Sequence, residues 1–352
     1  MRKIEKFSLF IGFIALFISY PIFASADAGG FTKKVQHPEN QITSGEPLNL
    51  MMKPGQKQKV NVVLENLGEK ETTIEVKLSG ARTNGSGGLE YGPNTFKKDK
   101  SMKYDLADLV KVPAEVKIPG KSKENLVLDI TMPETSYDGV VTGGIQLMEK
   151  GKDMGKTEEN GALVTNKFAF LFGVTLHMTD KEVKPDFDLR SAKAGLANYR
   201  NAVFLDIGST QAFLAKGMTL NAEITEKGKK EVLYQKKSAD VSIAPNSLLS
   251  FPVTMDGDRM KPGDFTANVV LKGYDKEWKW SKNFTITKEE ADKFNQQDPY
   301  LVQERGLNWK MIALIVGGVI LLVVIVVVIL KVTKKKTPQK GKKAKKKSSK
   351  GK

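Results

Sequence analysis

The sequence predicts an all-β protein: two tandem immunoglobulin-like β-sandwich domains ahead of a single C-terminal transmembrane helix. Three observations carry that prediction. Between residues 28 and 286 the apolar positions fall in short alternating segments rich in Val, Ile, Phe and Thr, broken every ten residues or so by Gly, Pro, Asn or Ser, with no long helical periodicity. A pattern from the first half of that stretch returns in the second. Residues 311–330 then carry no charge and are followed at once by lysines.

At the N-terminus, Arg2, Lys3 and Lys6 precede the apolar stretch from Phe7 to Tyr20, and Ala24-Ser25-Ala26 offers a small-x-small cleavage pattern. Residues 1–26 therefore read as a signal peptide removed after Ala26. At the other end, twenty uncharged residues at 1.5 Å of rise give a helix of about 30 Å, the hydrocarbon thickness of a bilayer. The tail holds twelve lysines and no acid, which predicts a cytoplasmic tail and an exterior for everything before Trp309. The formal charge of +16 divides into +12 on this tail, +2 on residues 1–26 and only +2 on the rest, which argues against a nucleic-acid partner. Cysteine is absent, yet about 280 exterior residues suffice to build cores without disulfides. Cysteine-free export behind one anchor points to the surface of a Gram-positive bacterium.

Predicted strands cover 59–64, 72–78, 115–118, 126–132, 140–148 and 167–178, then 201–207, 218–225, 231–235, 239–243, 248–255, 264–271 and 278–287. In residues 73–78, Ile74, Val76 and Leu78 share one face, as in a sheet covered on one side. The repeat runs Ile118-Pro119-Gly120-Lys121-Ser122, Leu126 to Met132 and Asp138-Gly139-Val140, answered by Ala244-Pro245-Asn246-Ser247, Leu249 to Met255 and Pro262-Gly263-Asp264. Its offsets of 126, 123 and 124 for proline, methionine and glycine imply two sandwiches of related plan, unless the match only reflects common sandwich corners. Residues 149–162, charged and glycine-bearing, read as a long hairpin loop. Thr287 with Glu290 makes a capping box opening a short helix, and Pro299 breaks any continuous helical path into the membrane.

These readings divide the chain into signal peptide (1–26), first sandwich (27–178), second sandwich (179–287), stalk (288–309), span (310–330) and tail (331–352). The border has an alternative near 155, since 167–178 either closes the first sandwich or opens the second.

Chemistry-bearing patterns are sparse. His37 and His177 are the only histidines, so zinc sites, Ser-His-Asp triads and Cys-His dyads lack material, and no metal or cofactor is expected. Asp256-Gly257-Asp258 reads as a plain turn. Glycoside cleavage needs two carboxylates about 5 to 9.5 Å apart, and Glu90, Asp105, Asp186 and Asp188 are available, but nothing marks a pair. Gly85-Ser86-Gly87-Gly88 reads as a flexible loop tip. Aromatics that stack on sugars include Tyr91, Tyr137, Tyr274, Trp278 and Trp280, the two tryptophans also fitting a core. The polar loop from Arg82 and Asn84 to Tyr91, together with Tyr137, forms the ligand-binding set, with exposed sheet edges as a second route to a partner.

A resemblance enters here. His37-Pro38-Glu39-Asn40-Gln41, Leu48-Asn49-Leu50, Pro54-Gly55-Gln56, Arg82-Thr83-Asn84-Gly85 with Tyr91, and Met132-Pro133 to Gly143-Gly144-Ile145 resemble the N-terminal, peptidoglycan-binding domain of WxL-interacting proteins. Asn198, Ala202, Ala244-Pro245-Asn246-Ser247, Lys261-Pro262-Gly263 and Trp278 to Phe284 resemble its host-binding second domain. The family's aromatic-Asp-Leu pattern is replaced by Leu48-Asn49-Leu50-Met51. The resemblance implies a non-enzymatic, membrane-anchored surface protein whose partners are peptidoglycan, WxL-domain surface proteins and host extracellular matrix proteins. A wall-processing glycosidase with a carboxylate pair is the rival. A sortase substrate would need an LPxTG-type motif, and DPYLVQERGLNWK stands in its place.

Overall fold

The computed structural model describes residues 30–151, 154–159, 162–166, 168–301 and 309–334; the expected signal peptide, residues 302–308 of the expected stalk and most of the lysine tail lie outside them. Period-two alternation becomes two stacked pairs of sheets. The first pair is built from β1 (Phe31–Val35), β2 (Leu48–Met51), β3 (Lys57–Asn66), β4 (Thr72–Gly80), the short β5 (Arg82–Thr83) and β6 (Leu89–Glu90), one helical turn α1 (Leu106–Leu109), β7 (Val110–Lys111), β8 (Glu115–Ile118), β9 (Lys123–Thr131), β10 (Val140–Glu149), β11 (Met154–Glu159), β12 (Ala162–Asn166) and β13 (Ala169–His177). One sheet has the order β1-β3-β9-β7, the other β2-β13-β10-β4-β8. Val62, Leu64, Leu126, Leu128 and Ile130 of the former meet Ile74, Ile145, Val174 and Leu176 of the latter, all fully buried. Each such side chain contributes about 1.5–3 kcal/mol by leaving water.

Side-chain amides hold the passage from β1 in one sheet to β2 in the other. Asn40 Nδ2 donates to the Met51 carbonyl (2.9 Å) and to Gln58 Oε1 (3.1 Å), and Gln58 Nε2 returns a bond to Asn40 Oδ1 (2.9 Å). Gln41 Nε2 donates to the Pro47 carbonyl (2.9 Å), and Gln56 Oε1 accepts from the Lys53 N–H (2.8 Å). Asn40, Gln41 and Gln56, which contribute to the family resemblance, thus close loops whose backbone groups have no ladder partner.

The second pair comprises β14 (Phe187–Ala197), β15 (Arg200–Ser209), β16 (Ala215–Glu226), β17 (Val232–Ile243), β18 (Leu248–Thr254), β19 (Gly263–Gly273) and β20 (Lys276–Ile286), ordered β14-β15-β18 and β17-β16-β19-β20. The runs β8-β4-β10-β13 and β17-β16-β19-β20 follow the same plan, as do β1-β3-β9 and β14-β15-β18. The repeat sits at matching corners: Lys121 (φ 55°) and Asn246 (φ 49°) take the left-handed conformation in the turns entering β9 and β18. Trp278 lies in the core, edge-on to Phe187 at 4.9 Å, and Trp280 packs against that core.

β13 pairs with β10 and β2. Several expectations change. The loop expected over 149–162 is instead largely a strand hairpin, β11 with β12. The strands expected at 231–235 and 239–243 are one strand, interrupted by register shifts and by Asp240 at φ 56°. β1 and β14 had no clear alternation; β14 forms because Asn198 and Tyr199, at φ 49° and 63°, close a tight hairpin with β15 without glycine.

Helix α2 (Lys288–Gln297) starts at the expected capping box, with Glu290 N–H donating to Thr287 Oγ1 (3.1 Å) and Thr287 N–H to Glu290 Oε2 (3.0 Å). It covers the first part of the stretch expected as a stalk, 288–309. Ala291 and Asn295 are buried against the second sandwich, and Asn295 bonds both backbone groups of Met260. A separate unit contains α3 (Trp309–Lys334), whose stretch Ala313–Lys331, with mean hydropathy 3.5 and exposed side chains, is long and apolar enough to cross a membrane.

Candidate functional site

The four residues expected to bind ligand sit largely against the chain's own atoms. Arg82 pairs with the buried carboxylate of Asp105. Asn84 Oδ1 accepts from the N–H groups of Ser86 (3.0 Å) and Gly88 (2.9 Å) while Nδ2 donates to Glu90 (2.8 Å), so its side chain shapes its own loop. Tyr137 donates to the Leu176 carbonyl (3.0 Å) and its ring leans on Tyr104; burial pushes its hydroxyl far up. Tyr91 lies half-buried over Gly144, where a Cβ would come within 2.7 Å of its carbonyl oxygen, and burial raises its hydroxyl as well.

The loop tip expected to be flexible is docked. The Ser242 N–H of β17 donates to the Gly87 carbonyl (2.7 Å), and a Cβ on Gly87, at φ 82°, would lie 2.7 Å from Val241 Cγ1. The β5–β6 hairpin of the first sandwich thus packs against the edge of the second. Thr83 N–H donates to Ser247 Oγ (2.9 Å), Ser247 Oγ to Thr83 Oγ1 (2.9 Å), and Ala244 N–H to the same Thr83 oxygen (2.9 Å). Two stretches that read separately in sequence, around Arg82 and around Ala244-Pro245-Asn246-Ser247, are halves of one buried junction.

A strap over residues 96–103 reinforces it. Leu248 N–H donates to the Lys97 carbonyl (3.1 Å) and Asp99 N–H to the Asn246 carbonyl (2.8 Å), seating the strap on the edge of β18. The Asp99 carboxylate, 1 % exposed, receives Arg190 Nε and Nη2 at 2.9 Å each. Burial alone would raise its pKa, but Arg190 and the Ser101 N–H and hydroxyl hold it below the usual carboxylate range. Asp206 follows the same logic: buried, it receives Lys193 (2.5 Å), Ser250 (2.6 Å) and Ser191 (2.8 Å), which together outweigh burial and hold it low.

Folded-state pKa values below the ordinary 3.8 mean that both carboxylates stabilise the fold above that value and lose the contribution as pH falls through the lowered ones. The unfolding midpoint is expected to hold between pH 7 and about 5 and to drop below, with a shallower drop in Asp206→Asn. An unchanged acid slope in that variant would remove Asp206 from this account.

The carboxylates weighed for glycoside cleavage are dispersed into internal bonds. Asp105 holds Arg82, Glu90 accepts from Asn84, and Asp188 pairs with Arg190 (2.6 Å). Asp186 accepts from Trp278 Nε1 (3.1 Å) and Thr210 (3.1 Å); despite burial, these bonds hold it low. No cluster of three or more metal-ligating side chains occurs among the described residues. The β1 edge is guarded: Lys33 points inward over the Phe170 and Phe172 rings to Glu46 (2.5 Å), which opposes pairing with another strand. An open cleft of about 490 Å³ lies in the second sandwich among Leu233, Tyr234, Met255, Asp258 and Phe265, with Tyr234 donating to Asp258 (3.2 Å). Burial first, then the Asp258 charge, pushes the Tyr234 hydroxyl up to about 12.

Fold and junction define a class: a two-sandwich β-protein with an apolar C-terminal helix, its two modules joined by buried polar contacts. Residues 31–149 match the peptidoglycan binding domain of the WxL Interacting Protein family, and residues 159–296 match its host binding domain. The chain belongs to the WxL-interacting protein family. No curated protein matches. Similar solved structures include the Pseudomonas aeruginosa CupB2 chaperone (10 % identity, 65 % of this chain and 92 % of that one, TM-score 0.23), the Escherichia coli chaperone DraB (14 %, 73 % and 98 %, 0.25) and PapD-like domain 7 of human CEP192 (10 %, 46 % and 94 %, 0.27). Likenesses of that strength carry no argument about this chain. Asp99 and Arg190 had no signal in the sequence beyond an aspartate flanked by lysines, whereas Ser247 stood out only through the repeat and the family resemblance.

Proposed function

We propose that this chain is a single-pass cell-surface binding protein, with two immunoglobulin-like modules outside and its lysine tail in the cytoplasm. The first module, residues 27–178, holds peptidoglycan; the second, residues 179–287, contacts host matrix proteins, and WxL-domain surface proteins are partners of the assembly. The observation that carries this reading is the order of the two family matches ahead of a membrane-length apolar helix. The junction supports it, because binding surfaces held in fixed geometry turn individually weak contacts into avidity. Of the four sequence candidates, Tyr91 is the one proposed to touch the wall polymer, while Arg82, Asn84 and Tyr137 hold its frame.

The full chain in detergent micelles should be retained by purified peptidoglycan and by a WxL-domain protein; retention by neither would refute the assignment. Protease added to intact cells should remove the modules and spare the tail, and the reverse pattern would invert the orientation.

A further inference from the structure

The strap joining the sandwiches separates charge in a way its composition conceals. Within Lys97-Lys98-Asp99-Lys100-Ser101-Met102-Lys103-Tyr104-Asp105 both acids turn inward, Asp99 onto Arg190 and Asp105 onto Arg82. Lys97, Lys98, Lys100 and Lys103 all remain exposed. A stretch of mixed charge thus carries four exposed lysines, with Lys98 Nζ 3.9 Å from Asp105 Oδ2, on a folded region that is otherwise close to neutral. The backbone beneath is fixed: besides the two bonds to β18, Ser101 Oγ donates to the Ser209 carbonyl (3.1 Å) and Asn246 Nδ2 to Ser101 Oγ (2.9 Å). Exposed carboxylates flanking the strap are committed elsewhere, Asp108 to the Asp105 N–H (3.1 Å) and Asp188 to Arg190.

We propose that this lysine strap binds a linear polyanion whose repeating charge is a phosphodiester. Exposed ammonium groups hold separate anions weakly, since water and salt screen them, whereas anions linked in one chain engage several at once. The exposed cations of the strap are all lysines, point charges that bind phosphate oxygens without the fixed bidentate geometry of arginine and so tolerate the register of a phosphodiester chain. The strap crosses from the peptidoglycan-binding module to the edge of the other, so a bound polymer would lie along their seam. This site goes beyond the peptidoglycan and host contacts proposed above and does not depend on the chain's orientation in the membrane.

The test uses the full chain in detergent micelles, with every lysine of residues 331–352 replaced by glutamine in all arms so that the tail contributes nothing. The probe is synthetic poly(glycerol phosphate). Replacing Lys97, Lys98, Lys100 and Lys103 together by glutamine should weaken binding about tenfold or more at low salt, with a four-arginine version staying within about threefold and added salt removing the difference. The thermal midpoint should not move, because the four side chains are exposed. Equal affinity of the glutamine variant, equal binding of uncharged dextran, or preference for a sulfated polysaccharide would overturn the proposal. Peptidoglycan stripped of phosphodiester polymer separates the two readings: its retention should be unaffected by the glutamine variant, and its loss alone would count against the proposed function and not against the strap.

Discussion

Asp99→Ala is expected to destabilise the two-module unit by about 3 kcal/mol, the low end of the cost of stranding one partner of a buried ion pair. The low end applies because Arg190 is 21 % exposed and keeps Asp188 at 2.6 Å. One further bond disappears with the carboxylate, that from the Ser101 N–H (2.9 Å). Urea unfolding reads the loss. Limited trypsin digestion reads its location, with cleavage expected first after the strap lysines once Asp99 no longer anchors them. Arg190→Ala in the same background should cost little more, since the interaction is already gone. Additive losses, or an unmoved midpoint, would mean that the pair does not hold the junction.

Gly139→Ala is expected to cost about 2–5 kcal/mol, combining strain at a left-handed residue with overpacking. Gly139 sits at φ 89°, and a Cβ there would stand 2.2 Å from the Ala212 carbonyl oxygen of the second sandwich. The chain cannot yield easily, because that same oxygen accepts from the Val140 N–H (2.8 Å). Gly257→Ala provides the control: φ is 94° but nothing lies within 4 Å, so only the conformational cost of about 1 kcal/mol should appear. Equal losses in the two variants would show that the contact with Ala212 contributes nothing.

How far the sequence speaks varies by element. Period two in residues 73–78 placed Ile74, Val76 and Leu78 on one face, and that face is the one turned to the core, because a half-covered strand has no other way to hide three aliphatic side chains. β1 and β14 were illegible for the opposite reason: in β1 Lys33 takes an inward position where the alternation demands an apolar residue, and in β14 a register shift at Arg190 breaks the alternation after Phe187 and Leu189; each cation is neutralised by a distant acid, Glu46 or Asp99. The tip of the candidate loop from Arg82 to Tyr91, expected to be flexible, is docked instead. Its glycines serve close packing against Val241 and Pro252, a partner more than 150 residues away.

Local pattern alone therefore determined the all-β class, the apolar helix of membrane length and the capping box at Thr287, since each depends on residues within a few positions of one another or on simple counting. Only tertiary structure decided that Thr83 meets Ser247, that Asp99 meets Arg190, and that α2 folds back onto the second sandwich. Those contacts are long-range: burying a charge or hydroxyl is favourable only where its partner arrives from elsewhere in the chain, and no short stretch of sequence contains both members.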